Sequence, residues 1–216
     1  MPFMPAFVHR PSCAQIIARL VMGYSELEFL LALCAGMARA ARRYPRIPPP
    51  GFHRGIHRAR YESYAIKHIF AKSEGAKERM NRAARIMRPQ FRSVEMEPDM
   101  DKALHAMRDC LRVRNTFAHC HWEQSKKQGL FFINLEEAAQ GHGKPNLRNF
   151  RHASAATLTE VEDYFWHTFQ MLDWLQHAFA VRTGLMTPPE PLRPKRRPVL
   201  SPNSTLFPSK DPLGHG

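Results

Sequence analysis

Residues 97–122 read EPDMDKALHAMRDCLRVRNTFAHCHW, and the spacing within this stretch decides the fold class. Pro98 suits the first turn of a helix, while Glu97, Asp99 and Asp101 complement its positive N-terminal end. Met100, Leu104, Met107 and Leu111 then recur at helical spacing, which predicts an amphipathic helix reaching at least Ala118. At about 100° per residue, Arg108, Arg112, Asn115 and His119 fall on one face, away from that apolar stripe. Arg114 is different, because the wheel places it between the directions of Met107 and Cys110. A guanidinium cannot be buried there without a partner. Arg114 therefore needs an acidic group, for which Glu28 and Glu26 are the candidates, or a cleft or interface that uses its charge.

Working outward, the same periodicity predicts helices on both sides. The first runs from about Ser12 to Arg43, with Ile16, Ile17, Leu20, Val21, Leu27, Leu30, Leu31 and Cys34 on its apolar positions and Gly23 as a point of bending. Pro45 and Pro48 to Pro50 end it. A second covers about Ala59 to Ala71 with Ile66, Ile69 and Phe70 facing inward. A third runs from Glu74 to Arg88, with Ser73 as its N-cap and Pro89 as its stop. After Ala118 the chain turns irregular, and Leu130 to Leu135 (LFFINL) is the one convincing strand, expected in a hairpin with residues near Leu147 to Phe150. Thr159 and Glu162 form a capping box for the last helix, whose apolar positions are Leu158, Val161, Phe165, Phe169, Leu172, Leu175 and Phe179. Gly184 closes it.

The fold class expected is all-α: an up-and-down bundle of four to five helices with a small β-hairpin or irregular insert after residues 97–118. Residues 1–11 form an N-terminal arm, 12–184 the helical domain, and 185–216 a proline-rich basic tail (PPEPLRPKRRPVLSPNS) expected to be disordered. A chain of 216 residues with 44% apolar content has enough material for such a core. Its longest apolar run, Phe29 to Ala38, falls well short of a membrane span and reads as a buried helix. No signal-peptide core opens the chain, and Cys13, Cys34, Cys110 and Cys120 are too widely spaced for a disulfide framework, so a cytoplasmic protein is expected.

The net charge is +13, and residues 39–92 hold 15 Lys and Arg against three acidic residues. Charge concentrated in this way points to a polyanion, nucleic acid being the commonest. Arg79, Arg82, Arg85 and Arg88 are the arginines through which it would meet phosphates. A solubilising surface is the plainer alternative.

Arg114-Asn115-x-Phe117-Ala118-His119 resembles the signature of the HEPN family, in which an arginine, usually followed by a polar residue, precedes a histidine by four to six positions. Tyr24-Ser25-x-Leu27-Glu28-x-x-Leu31 resembles the family's helix around a recurring glutamate. The resemblance spans about residues 12 to 182. It implies a metal-independent endoribonuclease acting as a dimer, with the motif helices of two subunits facing each other across a cleft. Arg114 and His119 lie about 140° apart on an ideal helix, so a site fed by two chains would bring such groups together.

In that reading His119, as imidazole, exchanges protons with a ribose 2′-OH or a leaving 5′-oxygen. Arg114 neutralises charge growing on the phosphoryl oxygens. Asn115, one turn before His119, orients the imidazole or a phosphate, with Glu28, Arg112 and His121 in support. The product is a 2′,3′-cyclic phosphate, and no cofactor or metal is needed. By the same resemblance the setting is a toxin or defence system, with RNA as substrate, a homodimer as the working unit and an antitoxin or regulatory protein as partner. Two other readings stand: a non-catalytic HEPN-like module that binds RNA or protein, and a helical adaptor whose basic stretch meets nucleic acid. His119-Cys120-His121 offers soft ligands, but neighbouring helix positions diverge and no second pair stands at zinc spacing. No phosphate-binding glycine loop or serine elbow is present.

Overall fold

The computed structural model describes residues 5–43, 61–125, 129–135, 139, 151–186 and 189–195. Its long helices are α1 (Pro11–Arg43), α3 (Ala76–Ser93), α4 (Glu97–Ala118) and α5 (Ala155–Arg182). Between α1 and α3, residues 61–70 form α2, α-helical at 61–65 and π-helical over Ile66–Phe70. Three strands, β1 (Cys120–Ser125), β2 (Gly129–Asn134) and β3 (Arg151–Ala153), make one antiparallel sheet in that order. No helix among the described residues is long and apolar enough to cross a membrane.

The helical class and the small sheet agree with expectation, and a strand just beyond residues 147–150 does pair with β2; the pairing with β1 was not expected. β2 pairs with β1, which immediately follows α4, setting Trp122 opposite Phe132 and Cys120 opposite Asn134. Its other edge takes β3, with Phe131 opposite His152. β3 begins one residue after the expected partners, residues 147–150, which lie outside the described ones. The sequence 120–125 carries little strand preference of its own. What recruits it is Trp122, whose ring lies 5.4 Å from Phe117, 5.0 Å from Phe132 and 5.5 Å from Phe7.

The chain divides into two compact units. The first contains the described residues up to Gly23 and those from Cys110 to Phe165. Its core joins Cys13, Ile16, Ile17 and Leu20 to Val113, Phe117, Leu130, Phe132, Leu158 and Val161, all buried. The turn Pro5–Phe7, assigned to the arm, belongs to this core through buried Ala6 and Phe7. The second unit contains described residues from Tyr24 to Asp109 and from Trp166 to Lys195. All eight residues from Leu31 to Ala38 are buried in it, as expected of a helix enclosed on every side. Met87, Met100, Leu104, Met107, Leu172 and Leu175 complete its centre, with Phe91 stacked on Phe179 at 4.4 Å.

Several boundaries move for identifiable reasons. α3 starts at Ala76 behind Gly75 and not at Glu74. Ser73 does not cap it, because its hydroxyl accepts from Arg82 Nε at 3.1 Å; the Glu78 carboxylate instead accepts from the Glu74 N–H at 3.0 Å. Pro89 does not stop it. Pro89 and Arg85, whose carbonyl loses its helical donor, are both exposed, so water can serve that oxygen while the helix continues and buries Phe91. Ile66 is exposed where an inward direction was expected. The Ala71 N–H donates to the Ile66 carbonyl at 3.0 Å, an i to i+5 bond that shifts the wheel. α5 starts at Ala155, with Ser154 Oγ accepting from the Thr157 N–H at 3.0 Å, so the expected capping box is not formed. Thr159 instead donates to the Ala155 carbonyl, and Glu162 binds Arg19. Gly184 does close α5, in the left-handed region at φ 73°.

Part of the tail is ordered against the second unit. Trp174 Nε1 donates to the Pro191 carbonyl at 3.1 Å, Glu190 accepts from Arg182 at 2.9 Å, and Arg193 lies over the Trp174 ring while bonding Asp99.

Two glycines of α1 make opposite predictions. A Cβ at Gly36 would stand 2.9 Å from the Tyr61 carbonyl oxygen, whereas one at Gly23 would meet nothing within 4 Å. Gly36→Ala is expected to destabilise by about 1–3 kcal/mol through overpacking. Gly23→Ala is expected to stabilise by about 0.5–1 kcal/mol through helix propensity. Chemical unfolding of the two variants checks both signs.

Candidate functional site

The motif occupies the last turns of α4 and the step into β1, all within the first unit. Its apolar members anchor it: Val113 and Phe117 are buried, with Phe117 edge-on to Phe132 at 5.7 Å. Arg108, Arg112, Asn115 and His119 are all exposed, as the wheel reading expects. Thr116, between them, is buried and donates its hydroxyl to the Arg112 carbonyl at 2.9 Å. His119 is fixed at the backbone from both sides. Its N–H donates to the Asn115 carbonyl at 3.2 Å, and its carbonyl accepts from the Leu135 N–H at 3.1 Å, so the end of β2 holds the end of α4.

Arg114 is half-buried, intermediate between the exposed face and the stripe. Its Nη1 donates to Asn115 Oδ1 at 3.1 Å. That bond settles the polarity of the amide. With its oxygen engaged, the Asn115 NH2 is the end that remains to be offered as a donor. The expected acidic partner is not the one the structure supplies. Glu28 belongs to the second unit, where its two oxygens accept from Arg79 Nε and Nη2 at 2.9 and 3.0 Å. Arg79 also lies over the Phe70 ring at 5.5 Å. Both side chains of the pair are largely buried, at 23% and 10% exposure, so Glu28 and Arg79 read as a bridge joining α1 to α3.

The other expected residues separate in the same manner. Arg88 pairs with Asp101 at 2.6 Å and Glu97 at 3.6 Å, linking α3 to α4. Arg92 joins them and, by hydrogen bonding, holds the Glu97 carboxyl below its ordinary value. Arg82 is held by Ser73, the Lys72 carbonyl and Glu78. Arg85 is exposed, and so is His121, which lies 3.5 Å from Glu123 on β1. Of the four arginines expected to meet phosphates, then, Arg79 and Arg88 are engaged in joining helices.

Sequence reasoning passed over Arg39 and Arg42, which the second unit places beside Arg82 and Arg85. The signal was available in the repeated i, i+3 spacing of arginine in both helices. Among the described residues no group of three His, Cys, Asp or Glu side chains converges to hold a metal ion. The four cysteines are thiols not joined in disulfides, and burial pushes the Cys34 thiol up to about 12, far from the reactive thiolate range. Set against models of known protein families, curated protein sequences and solved structures, the chain matches none of them.

The reassignment of Glu28 is testable by a double-mutant cycle. Glu28→Gln is expected to lower unfolding free energy by about 1–2 kcal/mol, as is Arg79→Gln. The double variant is expected to lose less than the sum of the two. Additive losses in denaturant titrations would contradict the pairing.

Proposed function

We propose that the chain is a metal-independent endoribonuclease of the HEPN kind, with Arg114, Asn115 and His119 as its working residues. The observation that carries this reading is the arrangement at the end of α4. Arg114 engages the Asn115 oxygen, Asn115 lies one turn before His119, and the Asn115 and His119 side chains face outward from an anchored helix. The Asn115 NH2 meets the requirement of a phosphate oxygen, which accepts and does not donate.

In the proposed reaction an imidazole takes the proton of a ribose 2′-OH, and the 2′-oxygen forms a bond to the adjacent phosphorus. The bond from phosphorus to the 5′-oxygen breaks, and that oxygen receives a proton from a second imidazole. The products are a 2′,3′-cyclic phosphate and a free 5′-hydroxyl. Arg114 and Asn115 stabilise the charge on the non-bridging oxygens. In this reading the two imidazoles are His119 and His119 of the partner subunit in a homodimer, the arrangement that the HEPN resemblance implies. A toxin or defence role under the control of a second protein completes the reading.

The non-catalytic alternative has one observation in its favour. Arg114 is half-buried and engaged with its neighbour, which suits a group that holds the helix end as well as one that meets a phosphate.

Incubation of the full chain with a mixed RNA pool in EDTA tests the choice. Wild type is expected to leave cyclic-phosphate ends on RNA and to leave DNA intact. His119→Ala and Arg114→Ala, confirmed folded, are expected to be slower by about a hundredfold or more, and Asn115→Ala by about tenfold. The pH–rate profile is expected to be bell-shaped, because one imidazole must be neutral while the other is protonated. Salt-sensitive RNA binding without cleavage by any of the four proteins would favour the binding module.

A further inference from the structure

Five described arginines of the second unit have carboxylate partners reaching another part of that unit: Arg79 with Glu28, Arg88 with Asp101, Arg92 with Glu97, Arg182 with Glu190 and Arg193 with Asp99. Four others converge differently. Arg39 and Arg42 from α1, and Arg82 and Arg85 from α3, line one open pocket of about 320 Å3, with Ile86 and Pro89 among its apolar walls. No acidic residue lines it.

Two of the four guanidiniums are held in place. Arg82 donates through Nε and Nη2 to Ser73 Oγ, the Lys72 carbonyl and Glu78, at 3.1, 3.0 and 3.3 Å, and none of these bonds uses its Nη1. Arg39 lies over the Tyr64 ring at 5.0 Å, a contact that leaves the edge of the guanidinium to donate. Arg42 and Arg85 are exposed. Among the described residues Arg82 is the one member of the four that pairs with a carboxylate, Glu78, so four cations gather around a single counter-charge.

His68, stacked on Tyr64 at 4.4 Å, is held below its ordinary value by burial first and then by the charges of Lys72, Arg39 and Lys67. Like charges gathered with too few counter-charges oppose folding. Ion pairing to a carboxylate accounts for one of these four, Arg82, and for none of Arg39, Arg42 and Arg85 among the described residues.

We propose that this pocket binds a ligand carrying two or more linked phosphate groups, each i, i+3 arginine pair taking one of them. Cβ atoms three residues apart on a helix lie about 5–6 Å from one another, so each helix presents two forks of donors to one side of the pocket. Ile86, Pro89 and the aliphatic arginine stems supply a surface for a sugar or base. The chemistry fits a nucleic-acid strand and a free polyphosphate alike. The inference takes from the proposed function only the expectation of a phosphate-bearing partner and holds whether or not the α4 motif cuts RNA.

The test uses two probes without a ribose 2′-OH, so that cleavage cannot intervene: inorganic triphosphate and a labelled single-stranded DNA decamer. Binding to the full chain is measured by calorimetry and fluorescence anisotropy at low salt. Arg42→Ala with Arg85→Ala is expected to weaken whichever probe binds by about tenfold or more, the equivalent of one charged interaction removed. Lys77→Ala with Lys102→Ala, which removes equal charge from exposed positions outside the pocket, is expected to change it by about twofold or less. Arg42→Lys with Arg85→Lys is expected to fall between, keeping charge but giving up the donor fork. For the decamer, the logarithmic salt slope is expected to shrink by about 0.7 for each phosphate that the variant no longer neutralises. Tighter binding of the decamer assigns the pocket to a strand, and tighter binding of triphosphate to a free polyphosphate. Failure of both probes to bind, or equal losses in the arginine and lysine pairs, would overturn the proposal.

Discussion

The exposed face of α4 depends on what holds the opposite face down. Val113 and Phe117 are buried, and Phe117 belongs to an aromatic group with Trp122, Phe132 and Phe7 that gathers α4, β1, β2 and the N-terminal turn. Side chains repeat every 3.6 residues on a helix, so fixing that face fixes the rest. Arg112, Asn115 and His119 are turned outward, and Arg114 is left at the margin. The hydrogen bond from Leu135 to the His119 carbonyl adds a second hold at the point where the helix gives way to strand. The polar residues of the segment gain a rigid base from neighbours that carry no chemistry.

Rigid support has a chemical consequence. A proton-transfer group works best when its position is set before the substrate arrives. His119 meets that condition at its backbone, and Asn115 meets it at its amide, through Arg114. The same rigidity limits what one chain can do, because Arg114 and His119 leave α4 about 140° apart on an ideal helix. The proposed reaction therefore depends on a second copy of the chain. The arginine pocket of the second unit makes no such demand, since α1 and α3 supply all four guanidiniums within one chain.

The helical elements were largely legible because burial imposes a period on apolar residues. Met100, Leu104 and Met107 are buried where the wheel puts them, and the unbroken run ending at Ala38 is enclosed. Gly184 ends α5 because only a residue without a Cβ takes that backbone conformation readily. Signals of lower energy were overridden. Pro89 removes one hydrogen bond at an exposed position, while Phe91 beyond it gains a stacked partner. Ser73 is a fair cap by type, but Arg82 claims its oxygen. β1 was missed because its register rests on one tryptophan meeting distant aromatics. In the candidate site the outward face was legible and the partners were not: nothing local in the sequence says that Glu28 serves Arg79 rather than Arg114, because that choice is made by packing between helices.

The central claim is that His119 of one chain and His119 of the partner subunit serve the same reaction, and mixing active with inactive chains tests it most directly. Wild type and His119→Ala protein are unfolded together in equal amounts, refolded and assayed for cyclic-phosphate ends on RNA in EDTA. The account predicts that activity falls to about a quarter of that of the same total amount of wild type, because only dimers of two intact chains keep both imidazoles. Activity of about half, with mixed dimers shown to be present, would mean that each chain works with its own histidine alone and would contradict it.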